Sequence, residues 1–236
     1  MNLLASLFQS SIGKKLLMAF TGLVLFGFAT GHLVGNLQIF LPPEKINAYG
    51  HMLESLGAGL WLIRLFLLAC LIVHVWIAIV LTQENRAARP VGYSVDHVNR
   101  ATLASRVMAR TGLVVLAFLV YHLLDFTFRV QHPEWGEHTF RLASGALVRD
   151  VHAMMVQGFS RPGISFFYVL AVGLLSYHLC HGIVSMVQTL GLKNEKWTGG
   201  LERFALAYCW LYFLLNAAIP LAILGWLPGL SGLIQR

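Results

Sequence analysis

The stretch LLMAFTGLVLFGFATGHLVGNLQIFL, at positions 16–41, decides the fold. It contains 26 residues and no charged side chain, and about 20 apolar residues in a helix are enough to cross a bilayer. Within hydrocarbon, only a helix or a closed barrel satisfies every backbone hydrogen bond. The stretch is therefore predicted to be a transmembrane helix.

Four more segments have the same character, at positions 60–82, 110–129, 163–190 and 204–227. Of the 236 residues, 57% are hydrophobic and 11% are charged, and the mean hydropathy is +0.69, a balance unlike that of a soluble domain. The sequence thus predicts an all-α bundle of five transmembrane helices, which forms one membrane domain over residues 1–236. Residues 130–162 are polar and are expected to include a surface helix, and no internal repeat is recognised.

The distribution of Lys and Arg predicts the orientation of the chain. Ten of the 17 basic residues flank one side of the predicted helices and seven flank the other. Because basic loops favour the cytoplasm, we expect the N-terminus inside and the C-terminus outside. The net charge of +7 therefore indicates topology rather than nucleic acid binding. The three cysteines lie in apolar runs without a CxxC pair and indicate no disulfide framework, zinc site or iron–sulfur site.

Histidines recur inside four of the five predicted helices. An ionisable side chain at that depth is costly and indicates function by default. At a rise of about 1.5 Å per residue, His32 and His122 are expected near the outer face. His74 is expected at mid-depth or nearer the inner face, at the level of either His178 or His181. The sequence therefore predicts two layers of histidines.

Two histidines at one depth on different helices are what a six-coordinate b-type haem requires, because the iron takes one neutral imidazole on each face. Two layers predict two haems. A zinc or di-metal centre is disfavoured because no carboxylate cluster accompanies the histidines. A metal-free proton relay is the alternative.

Four segments carry a resemblance to a known family. They are His32 through Gly35 to Asn36; His74 followed by Asn85, Arg86, Ala88, Arg89 and Pro90; Tyr121 with His122; and Tyr177 through His178, His181 and Gly182 to Gly191. In these segments the chain resembles the cytochrome b membrane-anchor subunit of succinate dehydrogenases and fumarate reductases, of the type with one five-helix polypeptide and two haems. The resemblance extends over all five helices.

The resemblance implies a set of haem ligands that agrees with the two layers. His32 and His122, on the first and third helices, are implied for the outer haem, distant from the catalytic subunits. His74 and His178, on the second and fourth helices, are implied for the inner haem. The family pattern of a ligand histidine with glycine four residues later selects His178 over His181.

Other residues are candidates for accessory roles. His181 and Arg64 are candidates to contact haem propionates, although Arg64 also suits an interface arginine. Glu54, in the first outer loop, occupies about the position where two-haem members of the family carry an acidic residue. It is a candidate for proton transfer at the quinone site, and a solvated loop glutamate is the equal alternative. Asp125 is expected to pair with Arg129 at i+4.

The resemblance also implies a function in electron transfer. The subunit would pass electrons between an iron–sulfur subunit, held with a flavoprotein subunit on the cytoplasmic side, and membrane quinone, by family type menaquinone. The dicarboxylate chemistry of the tricarboxylic acid cycle would belong to those other subunits, and the location would be the bacterial cytoplasmic membrane. The alternatives are the cytochrome b anchor of a nitrate reductase or hydrogenase, where one helix tends to supply two well-separated ligands, and a haem-free proton-coupled transporter.

Overall fold

The computed structural model describes residues 7–88 and 103–234, with side chains in the second range from residue 108. Within these ranges, five helices are long and apolar enough to cross a membrane. They span Ser11–Phe40, Ala58–Ala87, Met108–Thr127, Pro162–Thr189 and Thr198–Ile223. The prediction of an all-α bundle with five membrane-spanning helices is confirmed.

The helices and strands are named here in chain order. They are α1 (Ser11–Asn36), α2 (Pro43–Ser55), α3 (Ala58–Ala87), α4 (Leu103–His122), β1 (Thr139–Arg141), β2 (Leu147–Arg149), α5 (Val151–Phe159), α6 (Pro162–Thr189), α7 (Thr198–Ile223) and α8 (Pro228–Ile234). A 3-10 turn at Leu37–Phe40 extends α1, and a π-helical turn at Leu123–Thr127 extends α4. A further 3-10 turn lies at Pro133–Gly136.

Four of the spanning helices form a square bundle. Helix α1 packs against α3 and α6, while α4 packs against α6 and more lightly against α3. In the described part of the chain, the helices of each diagonal pair, α1 with α4 and α3 with α6, make no extensive contact. Helix α7 lies outside the square against α6 and α1. The two histidine layers predicted from the sequence therefore each come from one diagonal pair of helices.

An ion pair joins the beginning of α1 to the end of α3. Lys14 pairs with Glu84, and the Lys14 side chain is 6% exposed whereas that of Glu84 is 43% exposed. A buried ammonium group is costly unless a charge compensates it, so this pair makes the burial of Lys14 tolerable. It also establishes that α1 and α3 run antiparallel.

A small outer cap, formed by α2, the β1–β2 hairpin, α5 and α8, covers the end of the bundle where α1 ends. The expected surface helix within residues 130–162 exists only as α5, and the residues before it form an antiparallel hairpin with Thr139 opposite Arg149. Helix α2 was not predicted. Asn47 on α2 is fully buried and donates a hydrogen bond to Asp150, the N-cap residue of α5. This contact fixes α2 against α5.

The fifth span was predicted to end at residue 227 but ends at Ile223. Gly225 adopts a positive φ of 79°, and its backbone N–H donates to the carbonyl of Ala222. A left-handed glycine just past a helix is a common helix stop because glycine has no Cβ to clash. The apolar residues after it therefore enter a turn and α8 rather than the membrane.

Aromatic side chains fill the space between the cap and the bundle. Trp135 is 1% exposed, and its ring lies 5.5 Å from that of Phe126 at the end of α4. Gly158 on α5 allows this contact, because a Cβ there would lie 2.7 Å from Phe126 Cζ and 3.2 Å from Trp135 Cη2. Helix α5 can approach the aromatic pair only because residue 158 has no side chain.

We expect Gly158→Ala to destabilise the protein by about 1–3 kcal/mol, because the added methyl group overpacks the aromatic pair. Thermal unfolding in detergent measures the loss. The matched control is Gly163→Ala, where no atom lies within 4 Å of an added Cβ and where alanine favours the helix. Equal stability of the two variants would contradict this packing.

Candidate functional site

The outer histidine layer is assembled as predicted. The imidazole centroids of His32 on α1 and His122 on α4 lie 5.8 Å apart, with an interplanar angle of 78°. Two metal–nitrogen bonds of about 2 Å and two ring radii of about 1 Å would separate such centroids by roughly 6 Å. The diagonal helices therefore bring these rings to the spacing of two axial ligands on one metal.

His32 faces space that protein atoms do not fill. Its ring stacks on Phe28 with centroids 5.6 Å apart, yet His32 is exposed in the described chain. On the same helix, an added Cβ at Gly27 or Gly31 would meet nothing within 4 Å. In the described part of the chain, no neighbouring helix fills this open strip beside His32.

His122 is held by a hydrogen-bonded network of buried groups. The Tyr168 hydroxyl on α6 lies 3.4 Å from His122 Nδ1 and donates to Asp125 Oδ2 at 3.3 Å. Because that hydroxyl proton is used by Asp125, the Tyr168 oxygen can accept from Nδ1–H of His122. The Nε2 lone pair of His122 is then left for another partner.

The expected pairing of Asp125 with Arg129 is wrong. Asp125 is fully buried and accepts its hydrogen bond from Tyr168 instead. The i+4 rule requires a continuing α-helix, but Asp125 lies in the π-helical turn and Arg129 has a φ of 54°. The backbone thus turns the arginine away from the face on which Asp125 lies.

The inner layer contains His74 on α3 and His178 on α6. Each ring lies against a Thr–Gly pair on a neighbouring helix. Thr21 Oγ1 on α1 lies 3.2 Å from His74 Nδ1, and Thr111 Oγ1 on α4 lies 3.4 Å from His178 Nδ1. The two inner histidines therefore have equivalent surroundings.

The adjacent glycines complete this arrangement. A Cβ at Gly22 would lie 3.4 Å from His74 Cε1, and a Cβ at Gly112 would lie 3.4 Å from His178 Cε1. These are contact distances, so an alanine would touch the ring and a larger side chain would displace it. The ring edge that carries Cε1 and Nδ1 thus lies against the glycine of the neighbouring helix.

This equivalence reflects a sequence repeat that sequence reasoning missed. Thr-Gly-Leu-Val occurs at 21–24 and again at 111–114, and a His-Leu pair begins 11 residues after each threonine, at His32 and His122. The repeated segments are short, and they lie within apolar sequence that is ordinary for a transmembrane helix. At about 1.5 Å per residue, the repeat places the two histidine layers roughly 16 Å apart and shows that α1 and α4 run in the same direction.

The accessory candidates are placed differently. The guanidinium of Arg64 lies 5.1 Å from the ring centroid of Trp61, one turn earlier on α3, an arrangement typical of an interface arginine. Its contact with a propionate stays a prediction, as does that of His181. Arg89 and Pro90, in the basic second loop that carries part of the resemblance, lie outside the described residues.

Glu54 lies in the last turn of α2 rather than in a loop, and forms an ion pair with Arg149 at 3.1 Å. Its side chain is 44% exposed. Nearby, burial lowers the pKa of Arg129, with a smaller lowering by Arg149, while Glu54 opposes the shift. The outer cap therefore holds one carboxylate between two guanidinium groups.

The donor set suits a haem rather than a polydentate metal site. Within the described residues, no three His, Cys, Asp or Glu side chains converge as metal ligands, whereas a haem needs only two imidazoles from the protein. Three of the four rings have Nδ1 beside a hydroxyl oxygen, and the fourth, His32, has Nε2 within 3.1 Å of Asn36 Nδ2. The residues present fit a bis-histidine haem at each layer, with Asn36 displaced at the outer one.

We expect Tyr168→Phe to cost about 1–3 kcal/mol of stability. The variant removes the hydroxyl that Asp125 accepts from, and Asp125 Oδ1 already has no hydrogen-bond partner among the described residues. Unfolding in mixed detergent measures the change, and Asp125→Leu supplies the second arm of a double-mutant cycle. The same loss from Tyr168→Phe in both backgrounds would show that this hydrogen bond contributes nothing.

Comparisons with known proteins were made by family, by curated sequence and by solved structure. No family model matches this chain, and neither a curated protein nor a solved structure matches it. The features of the chain that bear on function are therefore the geometry of the two histidine layers and the resemblance of the segments that carry them.

Proposed function

We propose that this chain is the two-haem cytochrome b anchor of a succinate:quinone oxidoreductase, which passes electrons between an iron–sulfur subunit and membrane quinone. The observation that carries the proposal is the contact of His32 with His122 across one diagonal of the bundle. His74 and His178, on the other diagonal, have matching threonine neighbours. Each of four helices supplies one ligand. The nitrate reductase and hydrogenase anchors, in which one helix tends to supply two ligands, fit this pattern less well.

Haem bound at each layer would supply one-electron transfer across the membrane. The chain contributes the rest of the site. The diagonal helices hold each pair of imidazoles at one depth, and the hydroxyl groups of Thr21, Thr111 and Tyr168 orient three of the rings. A separation of roughly 16 Å between layers leaves the two sites distinct but connected along α1 and α4.

The inner layer is assigned to the side that binds the iron–sulfur and flavoprotein subunits. The ion pair of Lys14 with Glu84 marks this end of the bundle. Lys193, in the loop between α6 and α7, and Glu202, near the beginning of α7, form a second ion pair at 3.4 Å. Charged, solvated loops of this kind suit a soluble partner subunit, and by the positive-inside rule this side is cytoplasmic. A bacterial cytoplasmic membrane is the location that accords with this assignment.

Glu54 is proposed to carry protons to quinone at the outer side. Quinone reduction consumes protons, and Glu54 lies in the cap that covers the outer end of the bundle, where α1 carries His32. Its partner Arg149 is half exposed as well, and an exposed ion pair is worth at most about 1 kcal/mol. The carboxylate can therefore leave the arginine and exchange protons with little cost to the fold.

The first test is haem stoichiometry. We expect two b-type haems per wild-type chain in the purified protein, with one lost in His32→Ala and the other lost in His74→Ala. His51→Ala, at an exposed histidine on α2, is the control and should retain both. A folded wild-type protein without haem would overturn the proposal, and the histidines would then serve proton transfer or packing.

The electron donor that reduces the haems distinguishes the succinate:quinone oxidoreductase anchor from the hydrogenase and nitrate reductase anchors. In the intact complex in native membranes, succinate should reduce the haems of this chain. Reduction by hydrogen, or reoxidation by nitrate but not by fumarate or quinone, would instead favour the hydrogenase or nitrate reductase anchor.

We expect Glu54→Gln to lower quinone turnover of the complex by 10²–10⁴-fold, the usual range for a lost acid–base group. Haem content and thermal stability should not change. The matched control is Glu44→Gln, since Glu44 lies on the same helix and only accepts a backbone hydrogen bond from Ala143, which a glutamine oxygen also accepts. Wild-type turnover in Glu54→Gln would exclude this role.

A further inference from the structure

The two threonines of the inner layer have their own hydroxyl protons engaged. Thr21 donates to the carbonyl of Leu17 at 2.8 Å, and Thr111 donates to the carbonyl of Met108 at 3.1 Å. A hydroxyl has one proton to donate and two lone pairs that accept. Towards the histidine, each threonine oxygen can therefore act only as an acceptor.

The ring facing each threonine must consequently donate. His74 Nδ1 lies 3.2 Å from Thr21 Oγ1 and His178 Nδ1 lies 3.4 Å from Thr111 Oγ1. A neutral imidazole carries one N–H, so protonation at Nδ1 leaves Nε2 with a free lone pair.

We propose that Thr21 and Thr111 are positioning residues that hold His74 and His178 as Nδ1–H tautomers, so that each Nε2 is ready to bind iron. This inference rests on the proposed function. Gly22 and Gly112 let each ring lie close enough to the neighbouring helix for the hydrogen bond to form. The same Thr–Gly arrangement occurs on α1 and on α4, although these helices are separate in the chain.

The outer layer lacks this arrangement at one position. Asn36 Nδ2 lies 3.1 Å from His32 Nε2, and an amide nitrogen can only donate. The lone pair of His32 Nε2 is thus used within the protein until a ligand displaces Asn36. In the inner layer the Nε2 lone pair of each histidine is available to iron, whereas in the outer layer that of His32 is not. The threonines, and not the histidines alone, therefore distinguish the two sites.

An acceptor on Nδ1–H makes the imidazole a stronger donor to a metal, and loss of such partners commonly costs 10–100-fold in affinity. A stronger donor favours ferric over ferrous iron. We therefore expect Thr21→Val to raise the midpoint potential of the inner haem by about 59 mV, the equivalent of tenfold for one electron. Thr21→Ser, which keeps the hydroxyl, should restore the wild-type potential.

The matched control is Thr30→Val. Thr30 lies on the same helix and likewise donates to the carbonyl four residues earlier, but its oxygen contacts Tyr208 at 2.7 Å and no histidine. This variant should leave both potentials unchanged. Thr111→Val repeats the test from the other diagonal helix and keeps it decisive if Thr21→Val does not fold.

A second readout needs no haem. In haem-free protein labelled with ¹⁵N-histidine, the imidazole nitrogen shifts should report Nδ1–H at His74 and His178, and Thr21→Val should mix the tautomers at His74 only. Two bound haems with unaltered potentials and tautomers in both valine variants would overturn this inference and leave the proposed function intact. Absence of haem from folded wild-type protein would overturn the proposed function itself.

Discussion

Hydrocarbon offers the chain no hydrogen bonds, and the whole structure follows from that constraint. Backbone groups satisfy one another in five helices, and polar side chains within the spans must find partners inside the bundle. Thr21 and Thr30 donate back to carbonyls of their own helix and then accept from His74 or pair with Tyr208. Side-chain packing and polar contacts, rather than a hydrophobic effect absent from lipid, hold the helices together.

Within this constraint, the square arrangement of four helices forms two histidine layers. Neighbouring helices pack closely, and in the described part of the chain the diagonal pairs make no extensive contact. Because the two histidines of each layer come from one diagonal pair of helices, the other two helices are left to support them. Thus α1 supplies His32 to the outer layer and Thr21 to the inner one, and α4 supplies His122 and Thr111 in the same way. The repeat of Thr-Gly-Leu-Val followed by His-Leu in α1 and α4 therefore corresponds to the equivalent positions of these two helices in the bundle.

The sequence was sufficient for the five spanning helices, because length and charge are local properties. It predicted that His32 and His122 would meet. It could not predict Thr21 as a partner of His74, since a threonine in an apolar helix has many equivalent environments. The pairing of Asp125 with Arg129 failed because the rule assumed a continuing helix, whereas Arg129 has a positive φ. The outer cap was missed because its short elements carry little periodicity.

If the proposed function holds, the difference between the layers determines the order in which the two sites bind haem. At the inner layer the rings are held by threonine oxygens whose own protons are already engaged, so binding there requires no exchange of hydrogen bonds. At the outer layer, binding must break the contact of Asn36 with His32 while the support of His122 by Tyr168 persists. Pre-organisation lowers the cost of binding. The inner site should therefore fill before the outer site, and the outer site should depend more on the cap that closes over it.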